Sequence, residues 1–306
     1  MKLNHHPSLK PAPRHGFSLI ELLIVIVIIG ILMALIIPTL ASIRRTAAVV
    51  QQSAEFSKLD TAISQFASDM GVEPWSEIIL TENGTSSTWD PASATKIRRI
   101  WPTFNFQQDI DFNGDLAFTG DSSGSGRITL TGSECLLFFL GGMLDRDADR
   151  NGSISIEELR EDAVVTHVGF SKSPVNPFSK TGSNRQGPWF DFDIARKSDK
   201  DVQGNIRDYM PEYFATIGDQ STAVHFASAN NGQGYFSGVS IYVQSDGRTP
   251  WNKDSHQLVA AGFDNVLGFD PLAGTRMTYA NAESVSGNLQ QADNVASFKP
   301  GSTLGD

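Results

Sequence analysis

The chain has 306 residues, a formal net charge of -10, 19% charged residues and one cysteine. A lone Cys135 excludes an internal disulfide framework, and the acidic balance argues against a protein built to wrap nucleic acid. Glycine, serine, asparagine and aspartate crowd the second half, so the composition points to a loop-rich folded domain.

The first predicted element is a leader. Lys2, Lys10, Arg14 and three histidines lie among prolines ahead of a run from Phe17 to Ile37 in which only Ser18 and Glu21 are polar. A helix over that run rises about 30 Å, enough to cross a bilayer once. The basic leader holds the cytoplasmic side, which places the remainder outside. Pro38 marks a bend, and Arg44 and Arg45 follow. No small-residue cleavage site follows the apolar run, so an ordinary signal peptide does not fit. Glu21 is the feature that a simple anchor leaves unexplained. A carboxylate in hydrocarbon costs on the order of 2.5 kcal/mol or more without a partner. A cut between Gly16 and Phe17 would supply one, because the new α-amine would lie four residues from Glu21.

"HGFSLIELLIVIVIIGILMALIIP" resembles the signal of type IV pilins and of the pseudopilins of type II secretion. It has a basic leader ending in glycine, an aromatic first mature residue, glutamate at the fifth mature position and a long apolar helix. The resemblance implies that a prepilin peptidase cuts after Gly16 and methylates the amine of Phe17. It implies that Glu21 aids docking into a helical filament of pilin or pseudopilin subunits, built on an inner-membrane assembly platform. The expected location is the inner membrane, crossed once, with the C-terminal domain outside, then a periplasmic pseudopilus or a surface filament.

Beyond Pro38 the helix pattern becomes one-sided. Phe56, Leu59, Ile63, Phe66 and Met70 recur at helical spacing, and Gly71 suits a C-cap. The expected division is a leader at 1–16, a transmembrane helix at 17–38, an amphipathic continuation at 39–71 and a globular head at 72–306. The expected fold class is α+β and pilin-like: the long helix packs its stripe on a small antiparallel sheet carrying large loop-rich insertions. In the head, 127–131 reads as a short strand or turn, followed by a helix whose Leu136 to Leu140 are core and whose Cys135 is a small buried hydrophobe. Trp75, Trp89 and Trp101 read as buried anchors.

The strongest chemical signal is "DADRNGSISIEE" at 147–158. It matches the EF-hand calcium loop position by position: Asp147, Asp149 and Asn151 offer side-chain oxygens, Ser153 its carbonyl, Ser155 a direct or water-mediated contact, and Glu158 a bidentate carboxylate. Gly152 makes the turn. The expected cofactor is calcium in a structural role, because a sensor would need a second complete loop. The segments at 109–120 and 199–210 end in Gly120 and Met210 where the glutamate belongs, and read as degenerate loops or Asx turns. His167, His225 and His256 are isolated in sequence and suggest no heavier metal.

The C-terminal half alternates short apolar runs with turns, as for small antiparallel strands. "LVAAGFDNVLG" resembles the run near the end of major pseudopilins that leads into a calcium loop, with Asp264 as its positional candidate and Asn265 where glycine is common. No nucleophile elbow or zinc signature is present, and the chain is expected not to be an enzyme. The alternative is a membrane-tethered carbohydrate-binding or hydrolytic domain using the pilin signal for export. A binding module would display a row of exposed tryptophans drawn from Trp75, Trp89, Trp101, Trp189 and Trp251.

Overall fold

A computed structural model describes residues 18–121, 123–147, 153, 155, 158, 165–198, 210–218, 222–278 and 291–305. The chain divides into two units, 1–47 and 48–306. One helix, α1 (Leu19–Met70), runs through both. Its most apolar eighteen residues have a mean hydropathy of 3.3 and none of them is buried. Within the first unit Thr39 returns its hydroxyl to the Ile36 carbonyl at 2.8 Å, the local back-bonding by which a threonine stays in a helix.

In the second unit α1 becomes part of a core. Phe56, Leu59, Ile63 and Phe66 are buried and Met70 is half-buried. The elements that follow are β1 (Glu77–Thr81), α2 (Pro91–Ile100), β2 (Arg127–Thr131), α3 (Gly132–Gly141), β3 (Leu144–Asp145), β4 (Thr166–His167), β5 (Phe170–Ser171), β6 (Arg185–Gln186), β7 (Lys197–Ser198), β8 (Glu212–Tyr213), β9 (His225–Ser228), β10 (Ile241–Val243), β11 (His256–Ala260), β12 (Arg276–Thr278) and β13 (Val295–Ala296).

The single antiparallel sheet expected from sequence is replaced, among the described residues, by six small ones. The largest has three strands in the order β13-β11-β9, and β10 pairs with β12 in parallel. Most of these strands have two or three residues, too short for an alternating pattern to declare itself. The stripe on α1 is therefore met by several elements. Phe66 packs edge-on to Phe139 of α3 and to Trp189, Glu55 accepts a hydrogen bond from Tyr213 of β8, and Asp60 meets His256 of β11 at 2.8 Å.

Local chemistry explains the boundaries. Asp90 caps α2 by accepting the Ser93 N–H at 2.8 Å, with Pro91 at the first helical position. Arg127 and Thr129 alternate with buried Ile128 and Leu130 along β2, which pairs antiparallel with β1. Helix α3 is buried almost all round, and the Glu134 carboxylate accepts the Thr131 N–H at its start. An aromatic cluster fills the space beside it: Trp101, Phe112, Phe138, Phe170 and Phe178 meet mostly edge-to-face.

Candidate functional site

At the N-terminal signal, Gly16 and Phe17 lie outside the described residues. Glu21 sits in the first turn of α1, where its carboxylate accepts the Ser18 N–H at 2.8 Å while the Ser18 hydroxyl accepts the Glu21 N–H at 3.2 Å. This is a reciprocal capping box. Its sequence signal is Ser-x-x-Glu at 18–21 ahead of an apolar run. Glu21 thus has a helix-starting duty as well as any duty toward another subunit.

Of the expected calcium ligands, Asp149 and Asn151 lie outside the described residues. Asp147 is half-buried, directly after the buried Arg146, and Ser153 is exposed. Ser155 and Glu158 are brought together. The Glu158 carboxylate accepts the Ser155 N–H at 2.8 Å and its hydroxyl at 2.9 Å, and the Ser155 hydroxyl accepts the Glu158 N–H at 3.3 Å. The ninth and twelfth loop positions therefore bond to each other reciprocally, which holds two expected donors side by side. Hard oxygen donors of this kind suit calcium rather than a softer metal. Among the described residues no three histidine, cysteine, aspartate or glutamate side chains converge as a metal cluster.

The imperfect loop at 109–120 is closed by the protein's own groups. Glu82 is fully buried at the end of β1, and its two oxygens accept N–H groups from Phe112 at 2.7 Å, Asn113 at 3.2 Å and Gly120 at 2.9 Å. Burial pushes the Glu82 carboxyl up to about 8, against the downward pull of those three donors. Asp111 gives one oxygen to the Gly114 N–H at 2.7 Å and the other to the Lys180 ammonium at 2.6 Å. Asp109 accepts from Thr85, and Asn113 accepts from the Asp115 N–H. These are Asx turns, with the Lys180 ammonium neutralising Asp111. Arg146 then joins the two loops, donating from Nε to the Asn113 carbonyl at 2.7 Å and from a terminal nitrogen to the Glu158 carbonyl at 3.3 Å. Sequence reasoning missed Glu82 and Arg146, since their partners are 12 to 38 residues away and no local pattern marks them.

Only Met210 of the 199–210 segment is described. Near the C-terminus, Asp264 accepts the Val266 N–H at 2.9 Å and stands beside Asp293, which accepts the Phe263 N–H at 2.6 Å and the Asp264 N–H at 3.2 Å. Burial and the Asp264 charge push the Asp293 carboxyl up. Asn265 takes a φ of 59°, the left-handed region that asparagine tolerates, so it replaces glycine there at little cost.

The tryptophans do not form an exposed row. Trp75, Trp89 and Trp101 are buried as expected, Trp189 donates its indole N–H to Asp69 at 2.8 Å, and Trp251 stacks on Phe298. His167, His225 and His256 fall in separate strands.

A family model described as the prokaryotic N-terminal methylation motif matches residues 12–37. No curated protein and no solved structure matches the chain. The motif gives the N-terminus a type IV pilin-like signal for prepilin peptidase, and the apolar start of α1 is long and apolar enough to cross a membrane.

Proposed function

We propose that the chain is a structural, non-catalytic subunit of a type IV pilus-like or type II secretion pseudopilus filament. It is cut between Gly16 and Phe17, methylated on Phe17, and assembled through its N-terminal helix with other pilin or pseudopilin subunits on an inner-membrane platform. The observation that carries this reading is the methylation motif at 12–37 overlapping the start of a 52-residue helix whose apolar start is wholly exposed. Such a surface needs a bilayer before assembly and neighbouring helices after it.

In this reading the loop at 147–158 holds one calcium ion through Asp147, Asp149, Asn151, Ser153, Ser155 and Glu158. The spacing supports it, as does the pairing of Ser155 with Glu158. The ion's task is structural: it ties a loop to a head that has no disulfide, and extracellular calcium saturates even a weak site of this type.

Mass spectrometry of the N-terminal peptide from sheared filaments and from total membranes of native cells tests the proposal. A methylated Phe17 terminus is expected, in sheared filaments for a surface pilus or only in membranes for a pseudopilus. A terminus at Met1 or Lys2 in both fractions would overturn it.

A further inference from the structure

One cavity in the head has no part in processing, assembly or calcium binding. It has a volume of about 320 Å³ and lies between the start of α3, strand β9 and the turn at 267–272. That is the lower end of the roughly 300–1,000 Å³ range in which small-molecule sites fall. Its walls are mainly apolar, with Val239 and Leu267 buried and Leu272 at the rim.

Two buried polar groups line this cavity, one without a partner and one bonded through a single ring nitrogen. Ser133 is 3% exposed, and its Oγ makes no hydrogen bond among the described residues. His225 is 5% exposed and sits 2.8 Å through Nε2 from the Ser240 carbonyl. A carbonyl only accepts, so Nε2 carries the proton and Nδ1 presents a lone pair. Burial pushes this imidazole down to about 4, which keeps it neutral at physiological pH. A buried hydroxyl left unpaired carries a desolvation cost that a ligand can relieve by bonding to it.

The rim sets the sign of the ligand. Asp270 lines it, with Oδ1 taken by the Leu272 N–H at 2.9 Å and Oδ2 bonded to nothing in the described residues, and no lysine or arginine lines the cavity. The positive end of α3 also borders it, but the Glu134 carboxylate on the Thr131 N–H already answers that charge. His225 Nδ1 and Asp270 Oδ2 are acceptors and the Ser133 hydroxyl can accept as well as donate, which calls for a donor-rich ligand.

We infer that this cavity binds a small ligand made of an apolar body and an ammonium group, the body lying against Val239 and Leu267 and the ammonium facing Ser133, His225 and Asp270. The inference goes beyond filament assembly and does not depend on it.

The test is equilibrium titration of the full chain in detergent micelles with phenethylamine, and with 2-phenylethanol and 3-phenylpropionate as a neutral and an anionic match for shape. Phenethylamine should bind saturably and at least tenfold more tightly than either. Asp270→Asn, an exposed change that leaves the core intact, should weaken the amine at least fivefold and leave the alcohol unaffected. Val239→Phe should fill the cavity and abolish binding in protein whose circular dichroism is unchanged. No saturable binding of the amine, equal binding of the alcohol, tighter binding of the carboxylate, or full affinity in Asp270→Asn would each overturn the inference.

Discussion

The two halves of α1 are one continuous helix with opposite surroundings. Leu19, Ile26 and Ile36 are 82%, 59% and 56% exposed, whereas Leu59 and Phe66 are 0%. Helix geometry is the same in both; what differs is where the partner comes from. An all-round apolar face has to find its cover outside the chain, in lipid or in neighbouring subunits, while a one-sided stripe finds it within the head. A single element thus serves as a handle in one half and as core in the other.

The largest effect that sharpens this contrast is at the cut site. Gly16→Leu should block processing completely and leave only full-length chain in the membrane, read by N-terminal mass spectrometry, with the head still folded. Next is a pair of core and handle truncations. Phe66→Ala should destabilise the head by about 3–5 kcal/mol, because it opens a cavity against Phe139 and Trp189. Ile26→Ala should leave the head's unfolding within about 0.5 kcal/mol of the parent, measured in micelles. Equal losses from the two would break the contrast.

Calcium offers a smaller effect confined to the head. The parent protein's melting temperature should rise in calcium and fall with a chelator, and Glu158→Gln should remove most of that difference. An unchanged melting curve on chelation defeats the structural-ion proposal. Smaller again is the pH dependence set by Glu82. Its folded value lies at about 8, above the ordinary 4.5, so the folded state holds the proton more tightly. The resulting stabilisation is full below about 4.5 and is lost as pH rises through about 8. Glu82→Gln should flatten the slope of melting temperature against pH over that window, whatever it does to the level. A parent protein that grows more stable across the same window contradicts the assignment.

Much of this was legible in the residues themselves. The apolar run, the change of periodicity beyond Pro38, the 127–131 strand followed by a helix, and the buried Cys135 are all local patterns, and the structure has each of them. The six small sheets were not legible, since a strand such as Glu212–Tyr213 carries no period. Nor was the closure of the 109–120 loop, because Glu82 and Lys180 reach it from distant sequence. The expectation that Trp75, Trp89 and Trp101 are buried anchors held, because large aromatics gain most as core, and the exposed row that a binding module would show is not formed by the five tryptophans.

Glu21 is where both accounts of the handle meet, since it caps the helix through Ser18 and also carries the only formal charge between Phe17 and Ile37. The most direct measurement is the fraction of subunits incorporated into filaments for Glu21→Gln beside Glu21→Ala and the parent protein, with cleavage monitored in parallel. Glutamine can keep the capping box but not the charge. The account predicts near-normal cleavage and strongly reduced incorporation for both variants. Parent-like incorporation of Glu21→Gln would contradict it and leave Glu21 as a cap alone.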